Sequence, residues 1–186
     1  MESQINDTLE DTLSGHDWLE DAAAAAQPRL REALALLPPG VVAFLHGQPL
    51  GHPLHPILIH LPLGGWIVAG LLDFLPGQGR ESEQAADRAL LLGTVGAVGA
   101  IAAGWTDWSN TRGEARRTGL LHGSLNEVAF TLNLASLWAR KRGKRGLGKA
   151  LSGSALALAG LGGFLGGQLV YRHGLGVGHT LATPQG

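Results

Sequence analysis

ALSGSALALAGLGGFLGGQLVY, residues 150–171, is twenty-two residues long and carries no charged side chain. A bilayer's hydrocarbon core of ~30 Å is crossed by ~20 helical residues at 1.5 Å each. A helix on a soluble protein shows a polar face at every turn, and this stretch shows none. It reads as a membrane span. Upstream, residues 57–75 (ILIHLPLGGWIVAGLLDFL) and 89–108 have similar lengths, and residues 89–106 are free of charge. Residues 119–138 (GLLHGSLNEVAFTLNLASLW) hold His122, Asn126, Glu127 and Asn133 but reach the same length. Four spans are therefore expected. The links 76–88, 109–118 and 139–149 are short, which makes sequential helices antiparallel neighbours. The expected fold is all-α, a transmembrane up-down four-helix bundle over residues 47–186 with an amphipathic helical arm over residues 1–46.

The two parts differ in charge. Residues 1–46 hold eight acids and two bases, whereas residues 47–186 hold seven acids and twelve bases. The near-neutral total of −1, with no basic-aromatic groove, speaks against a nucleic-acid partner. The chain has no Cys, which excludes disulfides, Cys-ligated zinc or iron–sulfur clusters, and a thiol nucleophile. No phosphate-cradling glycine loop or nucleophile elbow is present, so no catalytic residue is assigned. MESQINDTLED at the start is acidic and lacks an apolar core, so the first span is expected to act as the insertion signal. In the arm, residues 17–26 read as a short Ala-rich helix. Pro28 then suits the first turn of a second helix, RLREALALL, with Leu30, Leu34 and Leu37 on one face. Pro38-Pro39-Gly40 ends it, and VVAFLHG follows as a short apolar piece. The arm reads either as resting on the membrane surface or bundle, or as recruiting a partner; Trp18 is an interfacial anchor or a binding residue accordingly.

Lys and Arg set the orientation. Arg140, Lys141, Arg142, Lys144, Arg145 and Lys149 crowd the 139–149 link; with Arg80 and Arg88 they make eight bases against six on the other side. The 139–149 loop is expected in the cytoplasm and both termini outside. Gly96, Ala100 and Gly104 recur every four residues, and Gly162/Gly166 and Gly163/Gly167 form overlapping GxxxG pairs. Such small faces let helices approach closely, either within the bundle or in a homodimer.

Antiparallel threading gathers the polar residues at one membrane face. His52, His55 and His60 open the first span, and Asp107 closes the second. His122, Asn126 and Glu127 open the third, while Gln168, Arg172, His173 and His179 follow the fourth. The opposite face has only Asp73 and the loop charges. An acid at the centre of a membrane helix costs ~2.5–3.5 kcal/mol, so intramembrane polar groups are default site candidates. Pro56 suits the first helical position and places His55 at the N-cap. Several imidazoles at one level suit a transition-metal ion, or haem b held by two histidines. Cofactor ligands are sought among His52, His55, His60 and His122, and metal ligands among His52, His55, His122 and His179. Asp107, Asn126 and Gln168 would orient them. The competing reading is structural: His52 and His55 as caps, His60, His122 and Asn126 as interhelical hydrogen-bond glue, and Asp107 and Glu127 paired with Arg112 or Arg172.

GHPLHP at 51–56, PLGGW at 62–66, GWTDWS at 104–109, GLLHGSLN at 119–126 and GGQLVYRHGLGVGH at 166–179 occur in that order. In these motifs the chain resembles the bacterial membrane family called domain of unknown function 2231, over roughly residues 47–179. The resemblance implies a four-span bundle in the bacterial inner membrane, with His52, His55, His122, His179, Asp107 and Asn126 as motif residues. Gln168 stands where many relatives are expected to carry His, and His60 where they are expected to carry another residue. Some members of the family continue into a Rieske iron–sulfur domain. That implies redox company, such as a Rieske-type partner in electron transfer, while the absence of Cys leaves no iron–sulfur cluster expected here.

Overall fold

The computed structural model describes residues 16–75 and 79–177. Among them there are helices and turns and no strands. Asp17–Ala35 forms α1, opened by Asp17 and Glu20, whose charges complement the positive end of the helix dipole. Pro39–Leu45 forms α2, with Pro39 at its first position, where a missing N–H costs nothing. The chain then turns through the single 3-10 turn Gln48–Leu50, flanked by Gly47 and Gly51 at φ 75° and 74°, left-handed values that favour glycine. His55–Leu58 is the one-turn α3, and His60–Phe74 is α4. The long helices α5 (Arg80–Trp108), α6 (Gly113–Lys141) and α7 (Arg145–Tyr171) follow.

Helices α4 and α5 pack on each other, as do α6 and α7; α5 also meets α6, and α4 meets α7. The shared core is Trp66, Ala69, Leu90, Ala97, Ala129, Ala155 and Ala159. Alanine at most of these positions brings backbones together, the packing expected where no hydrophobic drive exists between helices. The backbones of α4 and α5 come close at Gly65, where an added Cβ would lie 2.6 Å from the Ala89 carbonyl oxygen. The large apolar side chains point outward instead: Ile67, Val68, Leu71, Leu92, Val95, Val98 and Leu161 are all exposed. An apolar exterior around a small-residue core is the inverse of a water-soluble helical protein.

Two expectations are corrected. Among the described residues, three helical stretches are long and apolar enough to cross a membrane, not four: His55–Phe74, Arg80–Trp108 and Arg145–Tyr171. The remaining stretch, 119–138, lies inside α6, where His122, Asn126, Glu127, Asn133 and flanking Ser and Thr dilute the apolar content. The arm is also not broken at Pro28, since α1 runs continuously through it. Tertiary anchors on the N-terminal side of Pro28 hold that helix in place. Leu19, Ala23 and Gln27 are buried along one face. Glu20 pairs with Arg116 and Arg117, and the Gln27 amide donates to the carbonyls of Trp108 and Thr111 at 2.9 and 3.0 Å.

The far end of the bundle, read from sequence as Asp73 plus loop charges, is a closed ionic network. The Asp73 and Arg140 side chains are 0% and 2% exposed and meet through two parallel N–H···O bonds. Arg140 also donates to Asp87 at 2.8 Å, Ser152 at 2.9 Å and Ser136 at 3.1 Å. Arg145 donates to Asp73 at 2.9 Å and to Asp87, and Lys149 donates to the Asp73 carbonyl at 2.7 Å. One carboxylate on α4 and one guanidinium on α6 thus tie in α5 and α7. Asp73→Leu leaves Arg140 buried with only Asp87 opposing it. It is expected to destabilise the fold toward the lower end of about 3–5 kcal/mol in thermal unfolding in detergent, and Asp73→Leu with Arg140→Met is expected to recover most of that loss.

Candidate functional site

Two of the candidate histidines meet. The rings of His55 and His122 have centroids 6.0 Å apart and stand edge to face at 85°. Each is held in the same way. His55, at the first residue of α3, bonds through Nδ1 to the Ala100 carbonyl of α5 at 2.8 Å. His122, on α6, bonds through Nδ1 to the Gly162 carbonyl of α7 at 2.7 Å. A carbonyl only accepts, so each Nδ1 carries a proton, and in the neutral ring Nε2 keeps a lone pair.

The small residues of α5 and α7 make room for these rings. A Cβ on Gly104 would lie 2.8 Å from Nδ1 of His55, and one on Gly166 would lie 3.1 Å from Cε1 of His122. In both cases the accepting carbonyl is four residues before the glycine that seats the ring: Ala100 before Gly104, and Gly162 before Gly166. One helix turn of backbone plus a missing side chain forms a socket for one imidazole. Of the overlapping GxxxG pairs, Gly162/Gly166 therefore faces α6, while nothing lies within 4 Å of a Cβ at Gly163 or Gly167.

The other candidates are placed differently. His55 is the first residue of α3 rather than its cap, which is Leu54. Exposed His52 bonds weakly to the Pro53 carbonyl at 3.3 Å, and exposed His60 folds back on the Ile57 carbonyl at 3.0 Å. Neither joins the pair. Asn126 donates to the carbonyl of His122 at 2.8 Å; its amide nitrogen is 3.4 Å from both ring nitrogens of His122, so it lies over the ring face. Asp107 faces His46 at 3.0 Å, not Arg112, and Glu127 accepts from the Trp105 indole at 2.7 Å rather than pairing with an arginine. Gln168 is half-buried near the end of α7. His179 lies outside the described residues. Among the described residues, no group of three or more His, Asp and Glu side chains is arranged to hold a metal ion.

His46 went unnoticed in the sequence because nothing in the spacing of residues 46 and 107 connects them; only the docking of α2 on α5 does. Asn133 was legible as one of the polar residues within 119–138. It is completely buried, and neither of its amide atoms has a hydrogen-bond partner.

An all-helical chain with an apolar exterior and polar groups sequestered between small-residue helices is a membrane protein. The family model described as predicted membrane protein (DUF2231) matches residues 51–179, and the chain belongs to that family. The match runs from the glycine before His52 to His179 and so takes in both imidazole sockets. No curated protein and no solved structure matches the chain.

The socket geometry separates the two GxxxG pairs experimentally. A Cβ at Gly162 would sit 2.8 Å from the Asn126 amide. Gly162→Ala is expected to lower stability by about 1–3 kcal/mol through overpacking, measured by thermal unfolding in detergent. Gly163→Ala, facing open space, is expected to be neutral or to stabilise by up to about 1 kcal/mol through helix propensity.

Proposed function

We propose that the chain is a multi-pass protein of the bacterial inner membrane in which α4 to α7 form an up-down bundle. Helix α6 would be the fourth crossing element, and the Arg140–Lys149 end would face the cytoplasm. The support is that α6 packs on both α5 and α7, and that its polar side chains His122, Asn126 and Asn133 are at least half-buried by the protein. A polar helix is tolerated in a bilayer when its polar groups face protein. Because the native chain has no Cys, single-Cys labelling has no background. Arg112→Cys is expected to react with an impermeant thiol reagent in intact cells. Arg142→Cys should react only after the membrane is opened. Labelling of both positions from one side would exclude the crossing of α6.

Within that bundle, the function supported best is one-electron redox or electron transfer through a cofactor held by His55 and His122. The single observation carrying it is the matched pair of sockets, each of which orients an imidazole by an Nδ1–H bond and leaves Nε2 available. A backbone carbonyl behind a ligand histidine is the usual device for fixing its ring. The donor set discriminates between cofactors. A bare ion asks for three or four protein ligands, and the described residues offer no such group. Haem iron asks for at most two, because the porphyrin supplies four nitrogens, so a pair of imidazoles fits haem b better than a bare metal ion. Haem would supply reversible one-electron chemistry, and His55 and His122 would hold it from two hairpins. A Rieske-type protein or another membrane redox protein would be the partner.

A second reading has its own support. Both histidines already have a hydrogen-bond partner on a neighbouring helix, which is how buried polar groups act as interhelical glue. In that case the protein is a structural or anchoring component without a cofactor. Visible spectroscopy and metal analysis of the purified protein decide between them. The redox reading expects a Soret band that His55→Ala and His122→Ala each abolish, and that His52→Ala and His60→Ala leave intact. Neither haem nor stoichiometric metal in well-folded protein would establish the structural reading.

A further inference from the structure

Beyond the histidine pair, the arm and the packed helices form a second concave feature, open to the surface. It is a groove of about 660 Å³ between α1, α2 and the turn after α5, within the ~300–1,000 Å³ range of ligand sites. Helix α1, which forms one side, is fixed in place by residues outside the lining. Gln27 of α1 is buried and donates to the carbonyls of Trp108 and Thr111, and Glu20 holds Arg116 and Arg117 of α6. The arm is therefore bolted to the bundle on one side of the groove. On the other side, His46 is clamped to Asp107 at 3.0 Å with both side chains about one-fifth exposed.

The lining is divided by chemistry. Leu34 and Val42 form apolar wall, while Arg31, His46, Gln48 and Asn110 present polar groups. Asn110 lies 3.5 Å from Nε2 of His46, at the limit of a hydrogen bond. The carboxylate of Asp107 is engaged by His46, so the cation at the groove is Arg31, and the remaining side chains include two amide donors. A guanidinium with amide donors recognises a phosphate or a carboxylate. An apolar wall beside that anion site calls for a chain attached to the anion. The half-buried indole of Trp105 stands at the same end of α5, the level at which aromatic residues meet lipid headgroups.

We propose that this groove binds the headgroup of an anionic phospholipid, with its phosphate at Arg31 and Asn110 and an acyl chain along Leu34 and Val42. The arm then acts as one jaw of a lipid site and fixes the bundle's depth in the bilayer. The inference rests on the bundle lying in a bilayer and is independent of any cofactor at His55 and His122.

Native mass spectrometry of the full chain in a non-ionic detergent tests it, with phosphatidylglycerol titrated against phosphatidylcholine of the same acyl chains. One phosphatidylglycerol is expected to be retained in preference to phosphatidylcholine. Arg31→Gln, at an exposed position, is expected to weaken that retention about fivefold, while Arg29→Gln, on the same helix outside the groove, leaves it unchanged. Leu34→Ser is expected to weaken it as well while keeping the charge. Equal losses in the two arginine variants would mean diffuse attraction to the arm and overturn the proposal. So would retention that shows no preference for the anionic lipid. Displacement by inorganic phosphate would make the groove a site for a free anion and overturn the lipid reading. Failure of the bilayer reading itself would appear separately, in the sidedness of thiol labelling.

Discussion

The carboxylate of Asp73 and the guanidinium of Arg140 are both withdrawn from solvent, and each compensates the charge of the other. Neither is tolerable alone in a low-dielectric interior. Their contact pins α4 to α6, and the surrounding Asp87, Arg145, Ser152 and Lys149 extend the hold to α5 and α7. A helical bundle surrounded by lipid lacks the hydrophobic drive that gathers helices in water, so a directional polar clasp of this kind determines which faces meet. The alanine core then needs only to permit close approach.

The clasp is related to the histidine pair by an internal regularity. Asp73 follows His55 by eighteen residues, and Arg140 follows His122 by eighteen. Eighteen residues make five helical turns, so along the continuous α6 the two residues share one face about 27 Å apart. Each helical hairpin thus contributes one imidazole at one end and one charged partner at the other. The imidazole sockets repeat as well, with a carbonyl and a glycine four residues later on the second helix of each hairpin. Between the two ends of α6 lies Asn133, fully buried with both amide atoms unpartnered, a polar group whose burial costs free energy that the described contacts do not return.

The gathering of polar groups at one end followed from antiparallel threading, and His55 with His122 realised it. His60 did not, because five residues at 100° each rotate a side chain about 140° around a helix, away from His55. His52 precedes the helix and lies on turn backbone outside the periodic pattern. Glu127 was read as an arginine's partner, and Asp107 as orienting a site histidine or pairing with an arginine; Glu127 instead meets the Trp105 indole of the preceding helix, and Asp107 meets His46, which follows α2 in the arm.

By itself, the sequence determined that the chain is helical and belongs in a bilayer, because span length and the absence of charge are local properties of a stretch of residues. It also determined that small residues line the helix contacts, since their four-residue repeat is a property of one helix. Only the tertiary structure decided which of the two GxxxG faces is used, which histidines meet, and that Asp73 and Arg140 form a clasp. It also showed that α1 runs unbroken through Pro28 and docks on α6 and the turn after α5. Each of those facts depends on the rotation of one helix about its axis relative to another, and no one-helix pattern encodes that angle. The polarity of α6 shows the same division: hydropathy counts its His and Asn against a span, whereas packing places them half-buried or fully buried within the protein.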